Sequence, residues 1–189
     1  SLRAQPIAIH RDPRIEEMLR DVSPAEIERH IRTLAGFHTR HSLSTQQDPR
    51  RGIGAAARWL EAQMRRYSEA SGGRLRVELD TFWVEPDGRR INRRVRLTNI
   101  LGILPGRDPA NKQVILIGAH YDSRASNPMD SISYAPGAND DGSGTAVVLE
   151  LARIMSRYDY DATIVLALFA GEEQGLLGSE HLARRAREE

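Results

Sequence analysis

Three short segments carry residues whose types and spacing suit metal-assisted hydrolysis: His120-Tyr121-Asp122-Ser123, Gly137-Ala138-Asn139-Asp140-Asp141-Gly142-Ser143-Gly144, and Gly171-Glu172-Glu173. The chain has no cysteine, so any metal must be held by His, Asp and Glu. Imidazole and carboxylates without thiolates suit zinc, manganese or cobalt. Two divalent ions sharing a carboxylate would let this many acids sit together without raising one another's pKa values. In His120-x-Asp122, positions i and i+2 lie on one side of a strand end. Asp122 can therefore accept the proton of the second imidazole nitrogen, the support a metal-bound histidine usually has. Glu172 and Glu173 are adjacent and cannot point the same way, so one can ligate while the other handles protons.

Each segment alone has a plainer reading. A strand-end histidine is usually structural, an Asp-Asp-Gly-Ser-Gly loop is usually a turn and helix cap, and a Glu-Glu pair is usually a solvated surface. Their joint placement decides for a metal site. Val114-Ile115-Leu116-Ile117-Gly118 and Thr163 to Phe169 are continuous apolar runs, as expected of strands covered on both faces. His120 follows the first run and Glu172-Glu173 the second. The Asp140 loop precedes a helical pattern over 144–157, and a last helix covers 176–187. Strand, helix, strand, helix with short links predicts a parallel sheet, in which ligands bind outside the carboxyl ends of the strands.

Upstream, Ser23-Pro24-Ala25-Glu26 is a capping box that opens a helix ended by Gly36. A second helix covers about 54–69, with Trp59 in its buried stripe. Alternation over 74–85, a Pro86-Asp87-Gly88 turn and Val95 to Leu104 predict a hairpin. Residues 1–22, with Pro6 and Pro13, read as an N-terminal arm holding one short helix at 14–20. The expected fold class is α/β, three-layer αβα, with a mixed, mostly parallel sheet and the hairpin at its start.

The 189 residues suit one domain able to bury a real core. The apolar fraction of 40% and charged fraction of 28% are globular. No run approaches the ~20 apolar residues of a membrane span. The 27 basic and 26 acidic residues nearly cancel, which removes the general electrostatic case for nucleic acid. Nearly all the basic charge is arginine, Lys112 being the only lysine. Lack of cysteine does not fix the compartment. Ser1 implies an N-terminus that is processed or engineered.

Gly118-Ala119-His120-Tyr121-Asp122-Ser123, Asn139-Asp140-Asp141-Gly142-Ser143-Gly144 and Phe169-Ala170-Gly171-Glu172-Glu173-Gln174-Gly175-Leu176-Leu177-Gly178-Ser179 together resemble, in order and spacing, the zinc aminopeptidases of peptidase family M28. The similarity covers about 23–189, including the Thr39-Arg40 loop. It implies a sheet of the zinc-exopeptidase type and a co-catalytic pair of zinc ions. His120 would bind one ion, Asp140 would bridge both and Glu173 would bind the other. Glu172 would be the general base and Asp122 would orient His120. Glu172 would take a proton from the attacking water and pass it to the leaving amine of a peptide substrate, while zinc polarises the scissile carbonyl. The resemblance also implies a cis peptide between Asp140 and Asp141 and favours a secreted or periplasmic setting.

Members of the family continue into further strands that bring another carboxylate and another histidine ligand. The chain is therefore expected to be a partial catalytic domain, with weak or absent zinc, doubtful activity of its own and a sheet edge at 114–117 open to pairing in a homodimer. A carboxypeptidase, dipeptidase or single-zinc cyclotransferase of the same architecture is the alternative enzyme, and a metal-free interaction domain the alternative class. Remaining features read plainly. Arg89, Arg90, Arg93, Arg94 and Arg96 form the solvated face of the hairpin, and either Phe82 or Trp83 faces out. His38 and His41 belong to a polar loop, and His181 lies on the surface of the last helix.

Overall fold

The computed structural model describes residues 11–188. Its elements run α1 (Pro13–Arg20), α2 (Pro24–Gly36), α3 (Gly52–Ala70), β1 (Arg76–Val84), β2 (Val95–Leu104), β3 (Val114–His120), α4 (Gly142–Met155), β4 (Thr163–Phe169) and α5 (Leu177–Glu188). The N-terminal half of the expected arm, with Pro6, lies outside the described residues. Its second half forms α1, capped by the Asp12 carboxylate on the Arg14 N–H. This helix docks on the end of α4: the Tyr160 hydroxyl lies 3.8 Å from the Met18 sulfur, and Arg153 and Arg157 bond the Asp21 carbonyl and carboxylate.

Half of the capping box forms as expected, the Ser23 hydroxyl accepting the Glu26 N–H at 3.3 Å. The other half is replaced by a tertiary bond. Ser23 N–H donates not to Glu26 but to the buried Glu150 carboxylate on α4, at 2.7 Å. The start of α2 is thereby tied to the middle of α4.

The sheet has the order β1-β2-β4-β3. It is mixed, as expected, with the parallel component in β3–β4. The hairpin pairs β1 with β2 antiparallel and joins the rest through an antiparallel β2–β4 pairing. In the described stretch, antiparallel pairings thus outnumber the parallel one. Helices cover both faces. Asn99 on β2 points to α5, where its amide donates to the Gly178 carbonyl at 3.0 Å. Gly102, three residues on and facing the other way, lies against Met64 of α3. Leu60, Met64, Ile100, Val148, Leu149, Leu166 and Leu168 form the core between these layers. At β4 the continuous apolar run is largely buried, whereas on β3 Val114, Ile115 and Leu116 are exposed. Among the described residues no helix is long and apolar enough to cross a membrane.

Candidate metal centre

The parallel pair sets His120 beside Phe169, so β3 and β4 release their chains at the same level of the sheet. His120 is fixed through its backbone. Its N–H donates to the Asp141 carboxylate at 3.2 Å, and its carbonyl accepts the Thr145 hydroxyl at 2.9 Å. Asp141 also caps α4 by accepting the Gly144 N–H at 2.9 Å. One side chain therefore joins the end of β3 to the start of α4. The Asp140–Asp141 peptide is cis, as the resemblance implies. Asp140 stands beside the imidazole, its Oδ1 3.1 Å from His120 Nε2. Glu172 Oε2 lies 3.7 Å from the same nitrogen.

Asp122 closes the arrangement from behind. It is fully buried, and its Oδ1 faces His120 Nδ1 at 3.6 Å. That is just beyond hydrogen-bond length, and Nδ1 has no hydrogen-bond partner among the described residues. The same carboxylate accepts the N–H groups of Glu172 and Glu173, each at 3.1 Å. It thereby fixes the backbone from which Glu172 reaches His120 and Glu173 reaches Arg124. Burial alone would disfavour a charged His120. The surrounding carboxylates outweigh it, Asp122 first and then Glu172 and Asp141, and raise the imidazole to about 9. Three carboxylates around the ring favour positive charge at this point.

Glu173 shares the corner through its N–H but turns its carboxylate to Arg124, whose Nε donates to Oε2 at 2.7 Å. Burial pushes the Glu173 carboxyl up, Arg124 opposes this, and Asp122 and Asp140 add to it. The structure thus gathers Asp122, Asp140 and Glu172 around the His120 ring and holds Glu173 at their edge. In donor type and direction the set fits a divalent cation. An imidazole nitrogen looks onto carboxylate oxygens from two different loops, with a buried acid behind the ring and no thiolate needed. Among the described residues, no three such side chains already close into a metal cage.

Several supporting residues were not visible as such in the sequence. Arg40, in a loop of polar residues, is fully buried. Its guanidinium donates to the carbonyls of Tyr121 (2.6 Å), Leu34 (3.0 Å), Pro136 (2.5 Å) and Gly137 (2.9 Å), so it fastens the loops on both sides of the site. Burial lowers its pKa to about 10, against the pull of Asp122 and Asp141. His41 is likewise buried. Its Nδ1 accepts the Leu43 N–H at 3.0 Å, which leaves Nε2 as the donor to the Pro128 carbonyl at 2.9 Å. The Gln174 amide meets that same Nε2. Asp141 had a readable signal in its place before Gly-Ser-Gly; Arg40 and Arg124 had none.

One expectation is extended and one is corrected. All five hairpin arginines are exposed, as expected of a solvated face, but two of them also bond the protein. Arg94 behaves as expected, pairing with Glu85 at 2.7 Å and lying over the exposed Trp83 ring. Arg90, however, donates to the Glu173 carbonyl at 2.7 Å, and Arg93 bonds the Leu43 carbonyl. The cause is Asp87, whose carboxylate gathers the N–H groups of Arg89, Arg90 and Ile91, each at 2.8 Å. With Ile91 buried, this tight turn folds the hairpin end toward the metal centre. His181 is half-buried rather than a surface residue: its Nε2 meets the buried Asp80 at 3.1 Å and its ring stacks on Phe82.

The model of peptidase family M28 matches residues 99–189. A probable zinc metalloprotease of Pyrenophora teres f. teres is 49% identical over 174 residues, which span 92% of this chain and 37% of that protein. Leucine aminopeptidase 1 of Neurospora crassa is 31% identical over 172 residues, 88% of this chain and 38% of that protein. Among solved structures, the LapA aminopeptidase of Legionella pneumophila superposes with a TM-score of 0.69 at 20% identity, covering 99% of this chain and 45% of that one. The chain spans less than half the length of these relatives.

Proposed function

The chain belongs to peptidase family M28, and from that premise we propose that it supplies part of the catalytic centre of a zinc aminopeptidase, hydrolysing N-terminal residues from peptides. The observation that carries this reading is His120 Nε2 facing Asp140 at 3.1 Å and Glu172 at 3.7 Å, with Asp122 behind the ring. The name of the Neurospora relative supports the exopeptidase specificity.

In this reading His120, Asp140 and Glu173 hold the metal. Zinc, when bound, polarises the scissile carbonyl and lowers the pKa of water. Asp122 keeps the proton of His120 on Nδ1, so that Nε2 presents its lone pair. Glu172 is partly exposed and beside the imidazole. It takes the proton from the attacking water and returns it to the leaving amine. A free substrate amine would be held near the metal by the surrounding carboxylates.

The test uses the full-length zinc-loaded protein and leucine anilide. Glu172→Gln should lose roughly 10²–10⁴-fold in kcat while zinc content stays unchanged. His120→Ala should lose zinc. Cleavage of the N-acetylated anilide at the rate of the free one would exclude an aminopeptidase.

A further inference from the structure

Two arginines meet Glu173 at the edge of the acid cluster, Arg124 on its carboxylate and Arg90 on its carbonyl. Arg124 Nε holds Glu173 Oε2, which leaves Oε1 for a metal and both terminal nitrogens of Arg124 without a hydrogen-bond partner among the described residues. From the hairpin side, Arg90 uses Nη1 on the Glu173 carbonyl. Neither Arg90 nor Arg93 has a carboxylate within ion-pair distance among the described residues. The two arginines on Glu173 come from distant parts of the chain, Arg124 from the loop after β3 and Arg90 from the hairpin end folded in by Asp87. Both cations therefore sit next to the acids of the metal centre with guanidinium nitrogens that no protein carboxylate takes up among the described residues. A guanidinium with two free N–H groups is shaped for a carboxylate.

We propose that Arg124, assisted by Arg90, forms an anion subsite at the Glu173 end of the crevice, which binds a carboxylate of the peptide substrate close to the scissile bond. The proposal rests on the peptidase reading and narrows its substrate class to peptides with a carboxylate near the N-terminus. That carboxylate is either the C-terminus of a dipeptide or an acidic side chain following the cleaved residue. Electrostatically the crevice then has two unlike ends. The acid-rich end suits the substrate amine, and the Arg124 end suits its carboxylate, so a short peptide is oriented by charge before it reacts.

Binding is read by calorimetry on the full-length zinc-loaded protein, using reduced-amide analogues that have no cleavable bond. Three probes correspond to Leu-Ala, Leu-Glu-amide and Leu-Ala-amide. At least one carboxylate-bearing probe should bind about tenfold or more tightly than the Leu-Ala-amide analogue. A preference for the first assigns the C-terminal carboxylate, and a preference for the second the acidic side chain. Arg124→Gln should abolish the preference, Arg90→Gln should weaken it, and Arg124→Lys should restore part of it. Equal affinities for all three probes, or a preference unaltered by both glutamine variants, would overturn the subsite. Cleavage of the parent peptides is measured separately. A carboxylate preference in binding with no cleavage of any parent leaves the subsite standing and sinks the hydrolase reading instead.

Discussion

Asp122 and His30 show how differently a buried ionisable group can be used. Asp122 has two backbone N–H donors and the Ser42 hydroxyl around its carboxylate. Its charge is therefore solvated by the protein and available to His120. His30 is just as buried but has little to support a charge: Nδ1 has no hydrogen-bond partner, and Nε2 meets the Arg29 guanidinium and the Tyr67 hydroxyl. Burial first, and then the Arg29 charge, lower its pKa to about 4, while Glu26 and Glu150 only partly offset them. The sign follows directly. A pKa below the unfolded value of ~6.5 means that the unfolded chain takes the proton first as pH falls. Stability is full above about 6.5 and is lost between about 6.5 and 4, in total about 3 kcal/mol from this residue. His41, also lowered chiefly by burial, adds in the same direction. In the metal-free chain His120 acts oppositely, its contribution fading as pH rises toward about 9. Urea midpoints between pH 7 and pH 4.5 should show the acid loss, and His30→Gln should remove most of the His30 share. An unchanged acid slope in that variant would show that His30 is not a source of the loss.

At the scale of elements, α5 depends on close approach. A Cβ on Gly178 would stand 2.3 Å from Asn99 Oδ1 and 2.5 Å from the Ala170 carbonyl, and Asn99 is committed on three sides, to Asp80, Gly178 and Ala170. Gly178→Ala should push α5 off the sheet and cost about 1–3 kcal/mol. Gly36→Ala at the end of α2 has open space around it and should be neutral or stabilise by up to about 1 kcal/mol. Chemical denaturation of the two variants makes the comparison, and equal effects would refute the packing account. The elements themselves were legible because their signals are local. Ser23-Pro24 starts α2, two apolar runs make β3 and β4, and Asp140 and Glu172 fall where those strands place them. What was hidden depended on distant partners. Burial of Arg40 is decided by four carbonyls from three separate stretches of the chain. Glu173 turns to Arg124, a partner on the loop after β3. His181 is drawn inward by Asp80 on β1. The hairpin arginines reach the site only through the Asp87 turn.

Across the whole molecule the two strands of the parallel pair have nearly the same composition and opposite surroundings. β4 lies between β2 and β3 and is largely buried. β3 is at the end of the order, with Val114 63%, Ile115 50% and Leu116 50% exposed. Alternate residues of a strand face opposite ways, so Ile115 and Leu116 leave both faces of this edge uncovered. The outer backbone groups of β3 add a row of unpaired donors and acceptors among the described residues. An exposed, apolar, uncharged edge is a template for another strand, and the strand always available in solution is β3 of a second copy. Pairing β3 with its own copy about a twofold axis would make a symmetric contact that closes on itself. Lysine at position 115 or 116 would put like charges face to face across such a contact while remaining solvated in the monomer. Light scattering should therefore find the 189-residue chain dimeric at micromolar concentration, and Ile115→Lys and Leu116→Lys monomeric with unchanged circular dichroism. A wild-type chain that stays monomeric at those concentrations would rule out pairing through this edge.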